Sequence, residues 1–325
     1  MIACILAKAS RQYKDVRGFV TRGDNCLHWE TTAANEVDSR YATMPMLKRR
    51  SFFAAAVLAL AVLVPALVRA QLAPFNGVGV TFAQVHLFVT DVEVHKVFWT
   101  KVMGGTFVTN GPLQMVQFPG AFIILTKRES SGPPEGSVIN HFGFVYKNLP
   151  DQLAKWKAQG ADARPGGNPN QGHVWGPDGM DIEYYGDPAL LVSVKMDHIH
   201  SYVPDIDACK AWYQRVLGGV PGQRPRVSGP GWNEVVHFPG MTVTFNAVPG
   251  TPGNTLAPTQ GRSLDHIGFE VKNLDAYAKK LETLGIKLDT APSEIPHTKI
   301  KTAFLTDPWG TRIELTQNLA PALTP

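Results

Sequence analysis

Hydrophobic and polar positions alternate along Val85 to Val89, which predicts a β-strand. A helix is predicted over Val94–Met103, stopped by Gly104 and Gly105, and further strands over Gly105–Val108, Met115–Phe118 and Ala121–Thr126. This β-α-β-β-β order returns three more times. The second unit opens at Ile139, carries a helix at Leu149–Ala158 before Gly160, and closes on a strand at Met180–Tyr185. The third opens at Met196 with a helix at Asp205–Leu217. The fourth opens at Leu264 with a helix at Leu274–Leu284 before Gly285. In the third helix Ile206, Cys209, Trp212, Tyr213, Val216 and Leu217 share a face, and in the fourth Leu274, Tyr277, Ala278, Leu281 and Leu284 do. Each helix can therefore cover one face of its sheet and leave the other to line a cavity.

The chain also repeats at longer range. Gln84-Val-His86, Gly104-Gly105, Phe118-Pro-Gly120, Asn140-His141-Phe-Gly143 and Pro177-Asp-Gly-Met-Asp-Ile-Glu183 have counterparts in the same order. These are His198-Ile-His200, Gly218-Gly219, Phe238-Pro-Gly240, Asp265-His266-Ile-Gly268 and Pro308-Trp-Gly-Thr-Arg-Ile-Glu314. The offset drifts from 114 residues between His86 and His200 to 131 between Glu183 and Glu314, as small loop insertions would produce.

Alternation places His198, His200 and Tyr202 on one strand face and Ile199, Ser201 and Val203 on the other. It likewise sets Arg312, Glu314 and Thr316 against Ile313 and Leu315. If helices cover the aliphatic faces, His198, His266 and Glu314 project into a cavity as two imidazoles and a carboxylate. That donor set suits a divalent metal with coordination positions left open.

These ordered motifs resemble the vicinal oxygen chelate superfamily, which includes glyoxalase I, extradiol dioxygenases and fosfomycin- and bleomycin-resistance proteins. The resemblance covers residues 82–187 and 195–317. It implies an α+β fold of four tandem βαβββ modules forming two cupped mixed sheets, one per domain. Its ligand positions transfer to His198, His266 and Glu314 as the main set, and to Gln84, His141 and Glu183 as a second set. An exchange that groups His198 with His141 and Glu183, and Gln84 with His266 and Glu314, stays open. The fourth carboxylate of glyoxalase I falls near Ile124 and Thr244, which cannot serve. The family implies one divalent ion, with Fe2+ or Mn2+ favoured over Zn2+, Ni2+ or Co2+. The expected function is a dioxygenase-like or lyase/isomerase-like metalloenzyme acting on a small substrate that chelates through vicinal oxygens. The rival is a small-molecule-binding protein without turnover. His200, Tyr202 and His297 are candidates for proton transfer beside the metal. His86 and His200 are expected as pocket-wall residues, and His173 and His237 as loop or strand-end residues. Assembly as a homodimer is open.

Charge alters the picture at the N-terminus. The whole chain carries +4, yet residues 1–70 hold 10 Lys/Arg against 5 Asp/Glu, leaving 21 against 22 in the body. The body therefore has no electrostatic footprint for nucleic acid. Lys48-Arg49-Arg50, the apolar run Phe52–Val64 and Val68-Arg69-Ala70 read as a signal peptide over 44–70, of twin-arginine or Sec type. The expectation is export to the periplasm or beyond, no membrane span in the mature chain, and a disordered, over-extended segment at 1–43 with the true start at Met44 or Met46. Cys4 and Cys26 fall in that segment, so the body's Cys209 has no internal disulfide partner.

Overall fold

The computed structural model describes residues 72–249 and 256–320; residues 44–70, expected to be a signal peptide, and the segment 1–43 lie outside the described residues. The first module comprises β1 (Val80–Val89), α1 (Val92–Val97) continued by a π-helical turn (Phe98–Val102), β2 (Thr106–Asn110), β3 (Leu113–Phe118) and β4 (Ala121–Lys127). The second comprises β5 (Ile139–Tyr146), α2 (Leu149–Gln159), β6 (Asp162–Pro165), β7 (Gln171–Trp175) and β8 (Asp181–Gly186). The third comprises β9 (Val194–Val203), α3 (Ile206–Leu217), β10 (Val220–Pro225), β11 (Trp232–Phe238) and β12 (Met241–Ala247). The fourth comprises β13 (Leu264–Val271), α4 (Leu274–Thr283), β14 (Thr290–Glu294), β15 (Lys301–Thr306) and β16 (Arg312–Gln317). The fold is α+β, with the four βαβββ modules the sequence predicts. No helix among the described residues is long and apolar enough to cross a membrane.

One device starts all four helices. Asp91, Asn148, Asp205 and Asn273 follow the first strand of their modules, and each side chain accepts a backbone N–H of the first helical turn. Gly160 and Gly218 end α2 and α3 in the left-handed conformation that glycine reaches without strain.

The modules do not pair into sheets in sequence order. One sheet runs β14-β15-β16-β13-β1-β4-β3-β2 and joins the first module to the fourth; the other runs β10-β11-β12-β9-β5-β8-β7-β6 and joins the second to the third. We call their concave faces cup one and cup two. The resemblance gives each of 82–187 and 195–317 a sheet of its own; the strand pairing instead draws each sheet from both stretches. What neighbouring modules share is the core between the sheets. Trp99 stacks on Phe142 with ring centres 5.9 Å apart, and Trp156 Nε1 donates to the Val102 carbonyl at 2.8 Å. Likewise Tyr213 Oη donates to Asp307 Oδ2 at 2.9 Å, and Tyr277 Oη to the Val216 carbonyl at 2.6 Å. Val85, Leu87, Ile199, Val203, Ile313 and Leu315 enter that core, so alternation sends Gln84, His86, His198, His200 and Glu314 to the cups.

Asp307 is buried, accepts from the Trp309 and Thr311 amides as well, and has a raised pKa because burial outweighs those bonds. Tyr213→Phe removes one of its donors and is expected to cost roughly 1–3 kcal/mol in chemical denaturation. An unchanged midpoint would show that Asp307 is satisfied without the tyrosine.

Candidate metal centre

Cup two is built at the junction of β5 and β9, which run antiparallel with His141 opposite His200 and Gly143 opposite His198. β8 lies parallel on the far side of β5 and sets Glu183 beside Gly143. His198 Nε2 lies 2.8 Å from Glu183 Oε2, His200 Nε2 3.2 Å and His141 Nε2 3.5 Å from the same oxygen. Each ring is held from behind: His198 Nδ1 is 3.2 Å from Asp197, His141 Nδ1 2.8 Å from Asn140 Oδ1, and His200 Nδ1 2.9 Å from the Asn246 carboxamide. Asp197 is in turn paired with Arg224 at 2.8 Å, and Gln171 Nε2 donates to the other Glu183 oxygen at 3.0 Å. One ligand atom from each of His141, Glu183, His198 and His200 lies within 4.8 Å of all the others.

Burial alone would raise the Glu183 pKa, but hydrogen bonds from the three histidines hold it well below the usual carboxylate range. Burial would lower His198; hydrogen bonds to Asp197 and Glu183 outweigh this and raise it. His200 is lowered to about 3 by burial and by its imidazole neighbours, so it stays neutral and can donate a lone pair.

Cup one repeats the plan at the β1/β13 junction with different chemistry. Gln84 stands opposite Gly268 and His86 opposite His266. Glu314 Oε2 accepts from Gln84 Nε2 and lies 3.1 Å from His266 Nε2, while Thr302 donates to its other oxygen. His266 Nδ1 is 2.6 Å from Asp265, which pairs with Arg312 at 2.8 Å. His86 Nε2 turns to Thr126 Oγ1 at 2.8 Å, and Gln84 Oε1 and His86 Nδ1 are buried without a partner. A cavity of about 200 Å³ opens here, walled by Leu113, Ile124, Ile295, Ile300, Phe304 and Leu319.

The structure therefore separates the main set read from the sequence. His198 lies in cup two, while His266 and Glu314 lie in cup one; in the second set, His141 and Glu183 share cup two and Gln84 lies in cup one. The cause is the strand exchange, which brings distant modules edge to edge. Tyr202 is half-buried on the His198 face, and burial, helped by the charges of Glu183 and Asp181, raises its pKa. His297 is exposed in the turn between β14 and β15 at φ +61° and joins neither cluster.

His173 is the residue the sequence reading missed. It lies within β7 opposite Glu183, its ring centre 5.4 Å from that of His141, with Nδ1 2.8 Å from Asp181. Burial would lower its pKa, but the Asp181 bond and charge raise it overall. The alternation of Gln171, His173 and Trp175 was the available signal. Gly143 and Gly268 carry a second missed constraint. A Cβ on Gly143 would lie 2.2 Å from His198 Cε1, and one on Gly268 2.4 Å from Gln84 Cγ.

Residues 195–315 match the family model of the Glyoxalase/Bleomycin resistance protein/Dioxygenase superfamily. No curated protein matches the chain in sequence. Among solved structures, glyoxalase I from Zea mays superposes with a TM-score of 0.58 at 14% identity, covering 74% of this chain and 92% of that one. A candidate dioxygenase from Bacillus subtilis gives 0.55 at 11% identity, covering 77% and 87%. At such identities the likeness is one of fold. Residues 195–315 are thus similar to the Glyoxalase/Bleomycin resistance protein/Dioxygenase superfamily in sequence, and the described body shares the fold of these solved structures.

Proposed function

We propose that the protein is a metal-dependent enzyme whose centre lies in cup two, with His141, Glu183 and His198 as ligands. Its substrate is a small molecule that presents two adjacent oxygens. The observation that carries this is the convergence of imidazole Nε2 atoms from two strands on one buried carboxylate oxygen, with every Nδ1 already held from behind. Nitrogen and carboxylate donors of this kind fit Fe2+, Mn2+, Co2+, Ni2+ or Zn2+, and carboxylate partners behind the rings are the usual support of metal-bound histidine. A divalent ion held there supplies Lewis-acid polarisation of the bound oxygen pair. The chain's own residues do the rest. Asp197 and Asn140 fix the ring orientations. Asp181 holds His173 Nδ1 and leaves Nε2 for taking and returning a proton at the cup rim.

Metal analysis of the purified protein tests this: about one divalent ion per chain supports it, and no uptake by metal-free protein overturns it. One observation favours a second reading, capture of a ligand without turnover, namely the apolar cavity of cup one. A metal-free protein that binds small aromatic compounds would establish that reading instead. We also read residues 44–70 as an export signal. N-terminal sequencing of the native mature protein is expected to begin near Gln71, and a peptide from residues 1–43 in that protein would overturn this.

The raised His198 pKa sets opposite pH trends for the two forms. Without metal, its contribution to stability is fully present below the unfolded value of 6.5 and is lost as pH rises through the raised folded value. Metal must displace that proton, so affinity is expected to strengthen over the same rise. Thermal melts of both forms against pH check this, and parallel trends would contradict it.

A further inference from the structure

We propose that His200 is a fourth protein ligand in cup two, and that Asn246 turns it into that role; this rests on the metal-centre reading above. His200 follows His198 by two residues on β9 and so shares its face. Its Nε2 is 3.2 Å from Glu183 Oε2, between the 2.8 Å of His198 and the 3.5 Å of His141. Its ring stacks on His141 with centres 4.4 Å apart and planes 20° apart, so both present their Nε2 edges to the same oxygen. The residue beside it on β12 is Thr244, so that strand brings no carboxylate to this place.

Cup one serves as an internal control. His86 holds the matching register position, opposite His266 as His200 is opposite His141. Its Nε2 nevertheless goes to Thr126 and not to the carboxylate. Thr126 and Asn246 are themselves equivalent, being the partners of Phe88 on β1 and Tyr202 on β9. The longer asparagine side chain reaches His200 Nδ1 at 2.9 Å and leaves Nε2 free toward Glu183. The atom facing Nδ1 is the carboxamide nitrogen; with the carboxamide turned about so that its oxygen takes that place, Asn246 would accept the Nδ1 proton and fix the Nε2 lone pair for a metal. With three imidazoles and one carboxylate holding it, a divalent ion that accepts six donors would still have room for a substrate with two adjacent oxygens.

The test uses the full chain carrying Glu314→Ala, which removes the cup-one carboxylate, with Co2+ titrated by absorption and Cu2+ read by electron paramagnetic resonance. The parent is expected to bind one ion with three coordinating nitrogens. His200→Ala should drop the count to two and weaken Co2+ binding by more than about 100-fold, beyond what loss of an outer partner costs. Asn246→Thr should weaken it by about 10–100-fold, as loss of such a partner does. Circular dichroism confirms that each variant is folded, and His200→Gln replaces His200→Ala if the latter is not. Parent-like affinity and three nitrogens after the His200 substitution, with Asn246→Thr equally silent, overturn the proposal while the metal-centre reading stands. A parent that binds no Co2+ overturns the metal-centre reading and this proposal with it.

Discussion

Glu183→Ala is expected to empty cup two of metal, whereas Glu314→Ala leaves that cup loaded. Glu183 is the anionic member of its cluster, and it is buried with the imidazole Nε2 atoms of His141, His198 and His200 facing one of its oxygens. Without it, an incoming dication meets only neutral donors in a place shielded from water, and the uncompensated charge is costly. Affinity is expected to fall by well over about 100-fold, more than removal of an outer-sphere partner produces. Glu314 sits in the other sheet and touches none of these residues. Metal content after dialysis at a fixed free-metal concentration separates the two variants. Retained metal in Glu183→Ala together with loss in Glu314→Ala would move the centre to cup one.

Gly143→Ala is expected to do comparable damage without touching a ligand. The added methyl would stand 2.2 Å from one carbon of the His198 ring and 2.5 Å from its Nε2. Neither side can yield easily. Gly143 lies in a strand paired on both sides, and His198 is fully buried and held between Asp197 and Glu183. Overpacking of this kind costs about 1–3 kcal/mol, and the displaced ring should lose its aim at the metal position. The readouts are the denaturation midpoint and Co2+ affinity. Gly167→Ala, where an added Cβ meets nothing within 4 Å, is the neutral comparison. Equal effects from both substitutions would mean that the Gly143 contact relaxes at no cost.

The modules were legible in the sequence because each carries its own punctuation. Asp91, Asn148, Asp205 and Asn273 start helices by local bonds, and alternation sorts core from cup residues within each strand. These are short-range effects, so the strand, helix and strand-face readings needed no partner. Which module edges meet is a long-range choice among four similar first strands, and His198 looks the same beside His266 as beside His141. The sequence therefore left two groupings of the site open, the observed exchange being one of them, although every member was visible. His200 and His86 show the same limit at finer scale. Both sit two residues past a ligand position, and only the partner behind the ring, Asn246 or Thr126, separates their orientations. The helix at Val94–Met103 differs mildly, since it starts at Val92 and widens to a π turn at Phe98.

The exchanged strand pairing bears on the order in which the molecule takes shape. The cup-two sheet is built from one continuous stretch, β5 to β12, nested between the two halves of the other. As the chain is made from its N-terminus, that inner sheet can close while β13 to β16 are still to come. Meanwhile the first module keeps the β1 edge open, and Val80 to Val89 waits for a partner almost two hundred residues downstream. Long-range pairings of this kind are slow, and an unpaired apolar edge invites association with other chains. Refolding is therefore expected to pass through a species with cup two formed and cup one incomplete, and truncation after β12 should expose a sticky strand, not a silent end.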